Sequence, residues 1–476
     1  MSKDTLLDKI WNSHTVERLG SGKDLILIDT HFLDKRSSPG ALTPINVCRR
    51  VMSSPAPGRE REVDGSVIVA ELRPEQANCP QARALLRAIG VNMDAWRAGH
   101  SPVDRAAQGI VRMMVPEGGL VFPGMTAASD DCHTSALGGL GAVGLEIGAD
   151  DVEQVLETRT LVQRKPKVAE VRIDGDLQSG VTARDVATTI CRTLGGGAAV
   201  GYALEFTGNT VRSMSVDGRL SLCNVAVELG ARTAYVSPDV STFAYLAETP
   251  FGRLLRRQGR LWEDAVGKWK ETTRADAACF DRTHLIDVSM LEPQISWGTQ
   301  PSQAIAVDGM VPEPSDAITH AALAYMGLEP GVRILGLPVD SVFIGSRTNA
   351  RISDLRAAAA LVVASGRRVA RNVHAVVVPG SSQVRAQAER EGLDVAFRSA
   401  GFHWQYAGCS MYVGSNRASA EPFRRCVATT HFSLDEGHGL HVRTHIASPL
   451  TAAASALLGC IADPRSLLRN AAAETS

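Results

Sequence analysis

Strand-like and helix-like segments alternate along the whole chain, which restricts it to α/β architectures in which strands are joined through helices. The runs LILID (25–29) and VAEVRI (168–173) read as buried strands, and helices are expected over 79–89 and 183–192. The second of these helices opens on Thr182 and Asp185 at capping-box spacing and closes at the glycines 195–197. Another strand is expected over 340–344 and an alanine-rich helix over 353–365, closed by Gly366. The loop between them, within FIGSRTNAR (343–351), places Arg347 at the carboxyl end of a strand. Ligands bind there in open α/β sheets, and helix N-terminal amides favour anions. Arg347 therefore reads either as a two-pronged clamp for a carboxylate or phosphate, or as a solvated loop arginine. A polar, irregular-looking stretch from 251 to 300, with WEDAVGKWK and ISWGTQPSQ, separates a long N-terminal part from a C-terminal α/β unit that begins near Pro312.

A chain of 476 residues with 44% apolar residues has enough core for two or three domains. Its formal net charge of -1, with charges mixed along the sequence, offers no field for nucleic acid or an anionic membrane. No segment approaches the roughly 20 apolar residues of a membrane span, and the charged, amphipathic start MSKDTLLDKIWNSH reads as cytoplasmic. The nine cysteines are scattered singly and form no CxxC pair, which fits reduced thiols and gives no local ligand set for zinc or an iron–sulfur cluster.

Two stretches concentrate chemistry. The segment SDDCHTSALGGLGAVG (129–144) sets Asp131, Cys132 and His133 ahead of a glycine-rich helix, and LCNVAVELGA (222–231) places Asn224 and Glu228 four residues apart, on one helix face. A carboxylate that orients a histidine fixes its tautomer for proton transfer. The plainer reading is a capped loop and a surface glutamate.

Nine ordered stretches carry a resemblance to a known family. Among them are LIDTHF (27–32), QGIVRMMVPEGGLVFPGMT (108–126), DCHT (131–134), the run 204–231, FIGSRTNARISDLRAA (343–358), VVVPGSSQVRAQAEREGLD (376–394) and RTHIASPLTAAASA (443–456). Together they resemble the large subunit of 3-isopropylmalate dehydratase, in the aconitase superfamily. The resemblance implies α/β/α domains around a central cleft, with an N-terminal region over 1–290 of two interwoven subdomains, a C-terminal domain over 291–476, and no swivel domain. It also implies a small subunit of the swivel-domain type as partner, and a small carboxylate substrate.

In that family a [4Fe-4S] cluster hangs on three thiolates. Here their positions are Arg347, Cys409 and Tyr412, so the cluster is expected to be absent. The family's Asp-His-Asn segment falls near Ala70 and Glu71, a family histidine is replaced by Arg112, and two substrate-binding arginines become Phe432 and Gly437. Asp131, His133, Asn224, Glu228, Thr348 and Asn349 are expected still to line the cleft, with Ser381 also binding substrate. The expected roles are His133 as proton carrier oriented by Glu228, an Arg112–Asp131 ion pair, and Arg347 holding the substrate carboxylate. Cys132 stands where the family has serine. It reads as a nucleophile or as simple drift, and a metal on Cys132, His133 and Cys409 is a further alternative. The function expected is a cluster-independent lyase or isomerase using acid–base chemistry. The alternatives are a non-catalytic ligand-binding paralogue and an ordinary isopropylmalate dehydratase.

Overall fold

The computed structural model describes residues 3–33, 66–68, 111–271, 278–345, 350–407, 424–430 and 442–468. Three parallel sheets form its frame. The first runs in the order Ser66–Ile68, Thr30–Leu33, Thr126–Ser129, Val143–Glu146, and the second in the order Thr233–Val236, Tyr202–Thr207, Lys167–Asp174, Arg282–Asp287. The third, in the C-terminal part, runs His403–Trp404, His374–Val377, Ser341–Ile344, Arg425–Ala428, Arg443–Ile446. Parallel strands need both faces covered, and the inner strands Thr126–Ser129 and Tyr202–Thr207 are buried along most of their length, whereas the edge strand Arg282–Asp287 is largely exposed. The C-terminal sheet packs Val342, Ile344, Val377 and Val427 against the helices Ile352–Ser365 and Pro449–Leu458 in one core. A small antiparallel sheet of Thr15–Leu19, Lys23–Leu27 and Thr160–Gln163, and the hairpin Gln294–Ser296 with Ala304–Ala306, complete the strands described.

Several sequence expectations hold. The helix Ala183–Leu194 starts on a full capping box between Thr182 and Asp185, and Ile352–Ser365 ends at Gly366 in the left-handed conformation. Asp185 is more than a cap, because its Oδ1 also accepts the Gln294 amide at 2.7 Å and ties this helix to the hairpin. The helix expected over 79–89 lies outside the described residues.

The described residues between 251 and 300 are not irregular throughout. It contains the helices Pro250–Arg257 and Arg260–Glu271 and the edge strand Arg282–Asp287. Trp262, Ala265, Val266 and Trp269 recur at helical spacing beneath the polar composition, and that stripe closes on the aromatic rings of Phe122 and Phe243. Trp269 stacks on Phe122 with ring centroids 5.2 Å apart.

Residues 132–140 also differ from the expected α-helix, forming a 3-10 helix, Cys132–Leu140. Its glycines explain the fit: a Cβ on Gly138 would lie 1.7 Å from the Ala234 carbonyl oxygen, and one on Gly139 2.5 Å from the Leu220 amide nitrogen. The segment thereby wedges between the strand Thr233–Val236 and the helix Val216–Cys223.

Candidate active site

The site begins where the strand Thr126–Ser129 ends, at the carboxyl edge of a parallel sheet. The Asp131 amide donates to Ser129 Oγ at 3.3 Å, and Asp131 Oδ1 accepts the His133 amide at 3.0 Å, capping the 3-10 helix. Both side chains are buried, 3% exposed for Asp131 and 1% for His133. His133 Nδ1 lies 2.7 Å from Asn224 Oδ1. An amide oxygen only accepts, so in this contact Nδ1 carries a hydrogen.

This corrects one expectation, since Asn224 and not Glu228 is the partner of Nδ1. Asn224 caps the helix Val216–Cys223, and Glu228 belongs to a separate turn of helix, Ala226–Leu229. The backbone stays helical through Asn224 and Val225, with the turn tightened to i−3 hydrogen bonds. Glu228 instead faces Arg184: burial raises its pKa, and the guanidinium opposes that rise.

Arg184 is a residue that sequence reasoning passed over, because it sits inside the capping box of its helix. It is buried, and its Nη2 donates to the Thr430 carbonyl at 3.0 Å, joining the N-terminal part of the site to the C-terminal sheet. Burial lowers its pKa, and Glu228 works against that effect.

Ser381, expected to bind substrate, caps the helix Ser382–Arg390 and donates to Glu117 Oε2 at 2.5 Å. Glu117 belongs to a second buried polar group assembled from both halves of the chain. Ser353 Oγ donates to Asp217 Oδ2 at 2.7 Å, and the Arg351 amide donates to Asp354 Oδ2 at 3.1 Å. Burial pushes Glu117 up to about 7 from 4.5, and Asp354 up to about 7 from 3.8. Arg351 lowers both values and Asp217 raises them.

Cys132, between the two buried residues Asp131 and His133, is half-buried and in no disulfide among the described residues. Donor atoms of the three side chains all lie within 4.8 Å of one another. Cys191 is buried and pushed up to about 12 by desolvation, which removes it as a nucleophile. Arg112 falls in the helix Val111–Gly118, but its side chain lies outside the described residues, so the pair with Asp131 is not described. Arg347, Thr348, Asn349, Glu71, Cys409, Tyr412, Phe432 and Gly437 also lie outside them.

The model of the aconitase family (aconitate hydratase) matches residues 8–459. The chain belongs to the aconitase family. Within the family it is similar to the 3-isopropylmalate dehydratase large subunit of Roseiflexus castenholzii, with 41% identity over 97% of this chain and 98% of that one. Among solved structures it is similar to aconitase X of Thermococcus kodakaraensis in its holo-form, with 11% identity, a TM-score of 0.43, and coverage of 85% of this chain and 83% of that one. Membership places the Asp131–His133 loop and the Asn224–Glu228 segment in a fold of the aconitase class. Among the described residues, no helix is long and apolar enough to cross a membrane.

Proposed function

We propose that this chain is the large subunit of a hydro-lyase or isomerase that acts on a small carboxylate substrate by acid–base chemistry, without a [4Fe-4S] cluster. The observation that carries the reading is His133, buried at a strand end and held through Nδ1 by Asn224 at 2.7 Å. In this reading His133 moves the proton next to the substrate carboxylate. Glu228 and Arg184 set the charge behind it, and Arg347 and Arg112, with Thr348 and Asn349, anchor the carboxylate. The [4Fe-4S] group does not fit the donor set, since an arginine and a tyrosine stand at two of the three thiolate positions. No step is therefore derived through it. The large-subunit name of the Roseiflexus relative supports a small-subunit partner.

The spacing of Asp131, Cys132 and His133 favours a second reading, in which one divalent ion on this trio supplies a Lewis acid. The test is turnover of hydroxy- and unsaturated dicarboxylates by the chain with its small partner, prepared free of metal. Turnover unaffected by chelator supports the first reading, and turnover lost to chelator but restored by zinc or manganese supports the second. Turnover that needs iron and sulfide together would mean ordinary dehydratase chemistry. No turnover at all, with ligand binding intact, would mean a non-catalytic paralogue.

A further inference from the structure

The N-terminal and C-terminal parts of the chain meet at a seam of helices. On one side are the helix Val111–Gly118, which carries Glu117, and the first turn of Val216–Cys223, which carries Asp217. On the other are the first turns of Ile352–Ser365, with Ser353 and Asp354, and of Ser382–Arg390, capped by Ser381. Two hydrogen bonds cross the seam, Ser381 to Glu117 Oε2 at 2.5 Å and Ser353 to Asp217 Oδ2 at 2.7 Å. The packing leaves little slack. A Cβ on Gly380 would lie 2.5 Å from Met113 Cε, and the Gly380 amide is tied to the Ala350 carbonyl at 3.0 Å.

Charge at the seam does not balance. Glu117, Asp217 and Asp354 share one guanidinium, Arg351, which acts on both Glu117 and Asp354. Tyr245, on the helix Val240–Glu248, faces the same group as a neutral phenol, its pKa raised by burial and by Asp217. Arg356 also interacts with Asp217, but it is half-exposed and already held by both oxygens of Glu391. Three ionised carboxylates would exceed the charge of Arg351 by two, and protonation of two acids removes that excess. The hydrogen bonds show where one proton sits. Ser381 Oγ accepts the Val384 amide at 3.0 Å and gives its own hydrogen to Glu117 Oε2. Glu117 Oε1 is buried with no hydrogen-bond partner among the described residues, which costs a neutral carboxyl far less than a carboxylate.

We propose that this seam is a proton-operated joint, in which neutral Glu117 and Asp354 hold the two parts of the chain together and their ionisation loosens the C-terminal helix starts from the helix that carries Glu117. Both acids are held at about 7, above their ordinary 4.5 and 3.8, so the joint is tight in acid and loosens as pH rises through about 7. The positive ends of three helices meet here and offset part of the repulsion, which keeps the transition near neutral pH. Ala350 and Arg351 directly follow positions 346–349, so loosening reaches the segment that carries Arg347 through the chain itself. The inference goes beyond the proposed reaction and does not rest on it.

The test is hydrogen–deuterium exchange of the full chain at pH 6 and pH 8.5, read by mass spectrometry and corrected for the intrinsic pH dependence of amide exchange. The amides of Leu355, Val384 and Arg385 report the C-terminal side, and the helix Val111–Gly118 reports the other. The helix Pro449–Leu458, which has no titratable side chain, is the control. Protection on both sides of the seam should fall together on the order of tenfold, the factor that one pKa unit carries, with the control unchanged. Glu117→Gln and Asp354→Asn should each remove part of that fall, and Glu117→Gln decides alone if the other variant does not fold. Protection independent of pH, an equal fall in the control, a fall on one side only, or a fall undiminished in Glu117→Gln would each overturn the proposal.

Discussion

The two buried polar groups of this protein use similar residues for different ends. One gathers Asp131, His133, Asn224, Arg184 and Glu228 at the ends of parallel strands; the other joins Glu117, Asp217, Arg351, Ser353, Asp354 and Ser381 across the two halves of the chain. The first contains a histidine whose Nδ1 is held by Asn224 and a half-buried neighbour, Cys132, in a cavity wall. The second closes its carboxylates with serine hydroxyls and a backbone amide. The comparison teaches that burial is the largest cause of perturbed titration in both places, whereas the first also has a half-buried thiol in a cavity wall beside its histidine.

The largest effect should separate the two. His133→Ala should cut turnover on the order of 10²- to 10⁴-fold, the usual share of a positioned general acid–base. Circular dichroism and the melting temperature should stay near wild type. Glu117→Gln keeps the contact with Ser381 and should leave turnover within a few-fold of wild type. If it costs as much turnover as His133→Ala, the groups do not differ in kind.

Stability should respond in the opposite sense. The folded-state pKa of Glu117, about 7, lies above its reference of 4.5, so the folded protein holds a proton that the unfolded chain releases. The stability linked to that proton is fully present below about 4.5 and is lost as pH rises through about 7. Glu117→Gln should therefore be more stable than wild type at pH 8, on the order of 2 kcal/mol by urea denaturation. The difference should vanish near pH 4. A variant less stable than wild type at pH 8 would show that the charged form is the favoured one.

A smaller effect is expected at His31, which pairs with Ala128 in the first sheet and whose two ring nitrogens have no hydrogen-bond partner among the described residues. Burial lowers its pKa to about 4 from 6.5. Here the folded state holds fewer protons than the unfolded chain, so stability is lost as pH falls from about 6.5 toward about 4. His31→Leu should flatten that acid limb, with a gain of about 1 kcal/mol at pH 5. An acid limb unchanged by the substitution would place the acid sensitivity elsewhere.

Much of the first group was legible in the sequence and little of the second. Asp131, Cys132 and His133 are contiguous, and Asn224 and Glu228 lie four apart, so local spacing exposed them. The spacing puts both residues near the histidine but does not say which one reaches Nδ1, and it is Asn224 that does. Arg184 was hidden by a second, correct explanation, its place inside a capping box. The second group draws Glu117, Asp217, Asp354 and Ser381 from segments more than a hundred residues apart in places, and no local pattern reports such an assembly. The stripe of Trp262 and Trp269 was legible in principle, but polar composition concealed its helical period.

The central claim is that this aconitase-family site works without the cluster, because a single thiol, Cys409, remains at the three ligand positions. Its most direct test is the iron and acid-labile sulfide content of the chain after reconstitution with both under strictly anaerobic conditions. The account predicts neither at stoichiometric level. About four irons and four sulfides per chain, the content of one cubane cluster, would contradict it.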